Sequence, residues 1–289
     1  MNGLEYIKKR QQLWALRNNI PQQNSKGRVG TGYTKDLQEN LFVSMSQKTK
    51  NEFMKADGGE LKRNPCKMQA LHSSSALGFN IFEYWRDRDK EGLAKSLEIP
   101  VAGLESVSFE QQMPHAASTD KKKFPKSPNM DVLVRYKRTA AHVIGIECKF
   151  SEAYGREHSG LRPAYLEFSS LWNDLPFTKQ LANTLSPEDL EFECLHPAQL
   201  IKHILALKHA CAKYKRPVKK FWLAYLWYDV PTEEGARHRS EIKKFGEVVA
   251  KDGIRFHPIS YQRLIRNMFH YGLRVDHQEY LDYIAERYL

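Results

Sequence analysis

The feature that most constrains this chain is a pair of apolar, alternating segments, Asp131 to Tyr136 and His142 to Phe150, joined by a short polar turn near Arg138. Stretches of this length rich in valine, isoleucine and aromatic residues read as β-strands, and so short a connection makes them an antiparallel hairpin. Turning the hairpin around Thr139 sets Asp131 opposite Glu147, Leu133 opposite Gly145 and Arg135 opposite Val143. Side chains alternate along a strand, so Glu147 and Lys149 share a face while Cys148 points away. Directly opposed residues bring their Cβ atoms to about 5 Å. Asp131, Glu147 and Lys149 are therefore expected to meet at the end of the hairpin.

Two facing carboxylates repel unless a cation lies between them. Hard oxygen ligands with open water positions suit Mg²⁺ or Mn²⁺. Such an ion can polarise a phosphoryl oxygen, acidify a bound water and stabilise a leaving oxygen. Lys149 would then orient or activate the attacking water, or neutralise developing charge. The competing account is an ion pair in which Lys149 bridges Glu147 and Asp131 on a sheet face. Against it, the strand is apolar from Val143 to Ile146, which places the triad at the rim of a buried sheet. A cluster of charge without a function is costly there.

Other elements surround the hairpin. Residues 68 to 88 read as a buried helix, Leu104 to Met113 as a first strand, and 114 to 129 as a loop with three prolines. Residues 164 to 183 are expected to be helical. Pro197 starts a helix that runs toward Tyr214. Phe221 to Tyr228 is expected as a central strand, apolar on both faces. A polar helix at Arg239 to Lys251, a last strand at Ile254 to Ile259 and two C-terminal helices follow. This order predicts a mixed α/β sheet with helices on both sides.

The chain carries 45 Lys and Arg against 34 Asp and Glu, a formal charge of +11, which favours a polyanionic partner. The charge is uneven. Residues 1 to 50 hold nine Lys or Arg against three acids and read as a basic N-terminal arm, with one helix from about Glu5 to Arg17. Residues 121 to 138 and 201 to 220 hold seven basic residues each. Each run is either a solvated face or part of a polyanion groove. Cys66, Cys148, Cys194 and Cys211 lack metal or disulfide spacing, as expected for free thiols in a reducing cytoplasm. The longest apolar run, Phe221 to Tyr228, is far below the ~20 residues of a membrane helix. No secretory h-region is evident. There is no P-loop and no H-E-x-x-H; His203 and His209 are six apart, the wrong spacing for one helix face, so a zinc hydrolase is unsupported.

Asp131 followed by Glu147-Cys148-Lys149, after a helix and a strand and before another helix and strand, resembles the PD-(D/E)XK nuclease superfamily. The order of elements matches over about residues 50 to 260, so residues 51 to 289 are expected to form one restriction-endonuclease-like domain with C-terminal helices. The stretch Met68 to Leu77, preceded by Gly58-Gly59-Glu60-Leu61, is similar to a bacterial branch of uncharacterised proteins with that fold. The chain departs from the superfamily signature in having Pro128-Asn129-Met130-Asp131 where Pro-Asp would stand.

The resemblance implies Mg²⁺-dependent cutting of nucleic acid, DNA being the usual substrate. It implies metal binding by Asp131 and Glu147, water activation by Lys149, and an extra acid near the first core helix. Glu60 is the candidate and Glu83 the competitor; Glu60 is alternatively an acid complementing a helix N-terminus. Glu152 either helps hold Lys149 or is a surface residue. Ser73 and Ser74, beside His72, either bind a phosphate or cap a helix. Gln199, in line with Lys202 and His203, either faces the metal site or faces solvent. Lys121, Lys122, Lys123, Lys126, Lys202 and Lys213 are candidate phosphate contacts. A homodimer would supply the two sites that cutting both strands needs. The alternatives are a non-catalytic nucleic-acid-binding protein on the same fold, and a subunit of a larger defence or repair complex.

Overall fold

The computed structural model of the chain describes residues 1–137, 143–155, 159–213 and 220–289. The expected turn at Arg138 and Thr139, the expected strand start at His142 and the expected helix end at Tyr214 lie outside the described residues.

The first helix, α1 (Gly3–Arg17), begins with a capping box. Asn2 accepts the Glu5 N–H at 2.8 Å, and the Glu5 carboxylate accepts the Asn2 N–H at 3.1 Å. Its buried residues Ile7, Gln11, Trp14 and Ala15 form one stripe at helical spacing. Two short strands follow, β1 (Gln22–Gln23) and β2 (Tyr33–Thr34), then α2 (Gln47–Lys55) capped by Ser46.

The expected helix over 68 to 88 is shorter than the pattern suggests. Ser73 accepts the Ala76 N–H and so starts α3 (Ser74–Phe82), with 3₁₀ turns at Lys67–Gln69 and Glu83–Trp85 on either side. After α4 (Glu91–Ser96) come β3 (Leu104–Gln112), β4 (Asn129–Tyr136) and β5 (Val143–Lys149). The expected helix over 164 to 183 divides into α5 (Ala164–Glu167), a 3₁₀ turn at Ser169–Trp172 and α6 (Pro176–Thr184). Pro176 disfavours a helical Leu175 before it but suits the first helical position.

α7 (Pro197–Lys213) leads to β6 (Phe221–Trp227). α8 (Glu233–Lys251) starts six residues earlier than expected because Thr232 caps it. β7 (Arg255–Ser260), α9 (Tyr261–His270) and α10 (Arg274–Tyr288) complete the chain.

The large sheet has the order β3-β4-β5-β6-β7. β4 is antiparallel to β3 and β5, whereas β5, β6 and β7 run parallel. Leu133 pairs with Gly145 and Arg135 with Val143, the register expected from the hairpin. Helices cover both faces, consistent with a restriction-endonuclease-like fold. One face packs Val132, Val134, Ile144, Ile146 and Cys148 in a core with residues of α3, α9 and α10. The other packs Leu133, Val143, Leu223 and Tyr225 with residues of α7 and α8. Every residue of β5 is buried. Among the described residues, no helix is long and apolar enough to cross a membrane.

Two buried polar groups tie elements together. Arg287 is 1% exposed. It donates to Gln11 Oε1 at 3.0 Å, the Asn40 carbonyl at 3.0 Å and the Tyr283 hydroxyl at 2.6 Å, and lies 4.0 Å above the Trp14 ring. α1, expected as part of an arm, is thereby joined to α10. His238 is fully buried, with Nε2 at 2.9 Å from the Tyr225 hydroxyl and Nδ1 at 3.0 Å from the Tyr154 hydroxyl. Burial, with Arg239 and Lys149 nearby, lowers its pKa to about 3.

Replacing Arg287 with Leu leaves Gln11 and Asn40 unsatisfied in the core and is expected to cost roughly 3 kcal/mol, read from urea melts. His238 gives a pH signature. Below pH 6.5 the unfolded chain takes up a proton that the folded chain refuses until about pH 3. The stability this histidine confers is thus present above 6.5 and lost as pH falls, at a limit of roughly 1.4 kcal/mol per pH unit. Urea midpoints from pH 7.5 to 5 should fall more steeply for wild type than for His238→Gln.

Candidate active site

The site forms where β4 begins and β5 ends, beneath the start of α7. Glu147 and Lys149, two apart on β5, point toward α7, while the intervening Cys148 faces Gly78 of α3. Asp131, on β4, accepts the Cys148 N–H at 2.8 Å, which ties its carboxylate to the Glu147–Lys149 segment. On α7, Gln199, Lys202 and His203 share a side because they are three and four residues apart. Gln199 Oε1 accepts from Lys149 Nζ at 3.0 Å, and His203 Nε2 lies 2.7 Å from Glu147 Oε2. Lys149 Nζ is 2.6 Å from Glu147 Oε1, an ion pair.

These groups line a cavity of about 580 Å³. Asp131, Glu147, Lys149, Glu60, Ser74, Lys126, Gln199 and Lys202 all reach it. Other candidates lie elsewhere. Ser73 is the N-cap of α3 and faces an adjoining groove. Lys121 and Lys122 are exposed outside the cavity. Lys123 pairs with Glu167. Lys213 lines a separate cavity with Arg135 and His209, since eleven residues of helix past Lys202 carry it roughly 16 Å along the axis. Glu83 sits in a buried network, accepting from Thr49 at 2.6 Å and pairing with Arg86 at 3.4 Å. Of the two candidate extra acids, Glu60 reaches the cavity. It pairs with Lys67 at 3.2 Å. Glu152 accepts from the Ser74 hydroxyl at 2.6 Å and from the Phe150 N–H at 3.2 Å.

Three further residues join the site. Glu110 falls between the paired positions Phe109↔Val132 and Gln111↔Met130, and so lies beside Asp131. Its φ of 50° is in the left-handed region. Its place could not be counted from the sequence, because the long loop from 113 to 128 leaves the β3–β4 register open. His203 carried a readable signal, four residues after Gln199 on the same helix face, but its spacing to His209 is irrelevant to Glu147. Arg162 adds a third basic side chain beside Lys126 and Lys202.

Burial raises the pKa of Asp131, and repulsion from Glu147 and Glu110 raises it further. Burial and the charges of Glu60 and Glu147 push Glu110 up to about 8. Burial opposes ionisation of Glu147 as well, but Lys149 and His203 outweigh it and bring Glu147 down to about 2. Lys149 is likewise held charged against burial by Glu147 and Asp131.

One buried acceptor oxygen on the cavity wall, Asn129 Oδ1, lacks a hydrogen-bond donor, whereas Glu147 Oε1 is met by Lys149. Carboxylates that repel one another, with Glu110 and Asp131 raised in pKa beside Glu147, are what a divalent cation would relieve, so the donor set fits such an ion. As the side chains stand, no three His, Cys, Asp or Glu groups among the described residues are arranged around an ion position.

No curated protein and no solved structure matches the chain. A family model described as "Restriction Endonuclease associating with ARP" matches residues 8–289. With nearly the whole chain covered, and a mixed sheet carrying clustered acids and a lysine at one end, the protein belongs to this restriction endonuclease family.

Proposed function

We propose that this protein is a metal-dependent endodeoxyribonuclease of the PD-(D/E)XK type, acting in restriction or a related defence role. The observation that carries the reading is the meeting of Asp131, Glu147 and Lys149 at one wall of an open cavity. Asp131 and Glu147, with Glu60 and Glu110 at the same cavity, would hold Mg²⁺ or Mn²⁺, which supplies Lewis-acid polarisation of a phosphoryl oxygen and acidification of water.

The chain's own groups do the remaining work. Lys149, held by Gln199 and Glu147, presents an ammonium group that orients the attacking water and balances charge growing on the phosphoryl oxygens. His203 fixes the orientation of the Glu147 carboxylate. Lys126, Arg162 and Lys202 draw the phosphate backbone toward the cavity. Two copies acting together would cut both strands of a duplex.

A second reading has the chain cutting only with a partner. Lys149 closes on Glu147, and the acids are not gathered around an ion position. The family description itself speaks of association with ARP.

Supercoiled plasmid distinguishes the readings. With Mg²⁺ the purified chain is expected to nick or linearise it, and EDTA to stop this. Asp131→Asn and Lys149→Ala are each expected to lower the rate on the order of 10²-fold or more. A wild-type chain that stays inert with Mg²⁺ and cuts once ARP is added favours the second reading. DNA binding without cutting under either condition removes both.

A further inference from the structure

A second groove, of about 450 Å³, adjoins the catalytic cavity. The two share Glu60, Ser74 and Ser75, so they form one continuous trough across the start of α3. Three parts of the chain build the second groove. α1 contributes Lys8, the segment before α3 contributes Arg63 and Lys67, and His72 stands at the entry to the helix.

The charges in this groove do not balance. Its two acids are engaged: Glu60 pairs with Lys67, and Glu152 accepts from Ser74 and the Phe150 N–H. Among the described residues, no carboxylate pairs with the exposed Lys8 or Arg63. A concave wall with unpaired cations and hydroxyls attracts a chain of phosphates, because field lines focus there and bound counterions are released.

We infer that the nucleic-acid backbone leaving the catalytic cavity runs through this groove, its phosphates contacted by Lys8 of α1 and by Arg63. The inference rests on the proposed function for the identity of the occupant. It gives the N-terminal helix a place in substrate binding. Arg287, through Gln11 and Trp14, holds that helix against the body, so Lys8 is presented from a fixed surface.

The test reads binding separately from cutting. Fluorescein-labelled 30-nucleotide single-stranded DNA, and the same sequence as a duplex, are titrated with the full chain in EDTA across a salt series by anisotropy. Lys8→Ala/Arg63→Ala is expected to weaken binding about tenfold or more and to flatten the single-strand salt slope by about 1.4, as loss of two phosphate contacts would. Lys48→Ala/Lys50→Ala, at exposed positions of α2 outside the trough, removes the same charge and is expected to change neither quantity appreciably.

Equal effects from the two double variants, or none from the first, would overturn the groove assignment. A groove-dependent slope in a chain that never cuts upholds the groove and removes the nuclease reading. Normal cutting with binding insensitive to Lys8 and Arg63 does the reverse.

Discussion

The structure depends on neutralising charge on a strand that is buried along its whole length. β5 lies between β4 and β6 and beneath helices on both faces, and each of its residues is buried, including Glu147 and Lys149. A carboxylate without partners in such a place would be strongly disfavoured. Glu147 is stable as an anion because Lys149 and His203 meet it at 2.6 and 2.7 Å. That requirement places α7, since His203 and Gln199 must sit over the end of β5 for the cluster to close.

The same arrangement leaves electrostatic tension. Glu110, Asp131 and Glu147 come from three adjacent strands and repel one another, and the two not held by Lys149 and His203 have raised pKa values. A fold maintained for stability alone would gain from replacing such a cluster with apolar side chains. Its position in a cavity also lined by Lys126, Arg162 and Lys202 is the arrangement a phosphodiester substrate with a cation would complete.

The N- and C-terminal helices frame this centre from outside the sheet. Arg287 gathers Gln11, Asn40 and Tyr283 into a buried polar knot beneath Trp14. A basic segment that composition suggests is an appendage becomes a wall of the groove beside the acidic cavity. Its sequence shows a solvated helix with one thin apolar stripe, and the partners for that stripe, Leu71 and the last helix, lie far along the chain.

The hairpin register was legible because a strand alternates with a period of two and the connection is short, so counting back from the turn places Leu133 against Gly145. The α/β order followed from apolar runs and prolines; helical spacing put Gln199 in line with Lys202 and His203 but left open whether that side met the cavity or solvent. Helix ends were less legible, since Ser73, Thr232 and Pro176 decide them through single capping or backbone contacts that periodicity does not register. Glu110, Arg162 and the docking of α1 were decided by tertiary structure alone. They join the site across loops too long to count over, and their neighbours are set by which faces close on one another. Local backbone geometry determined which side chains share a strand face; the burial of β5 between two helical layers decided which distant groups had to meet them.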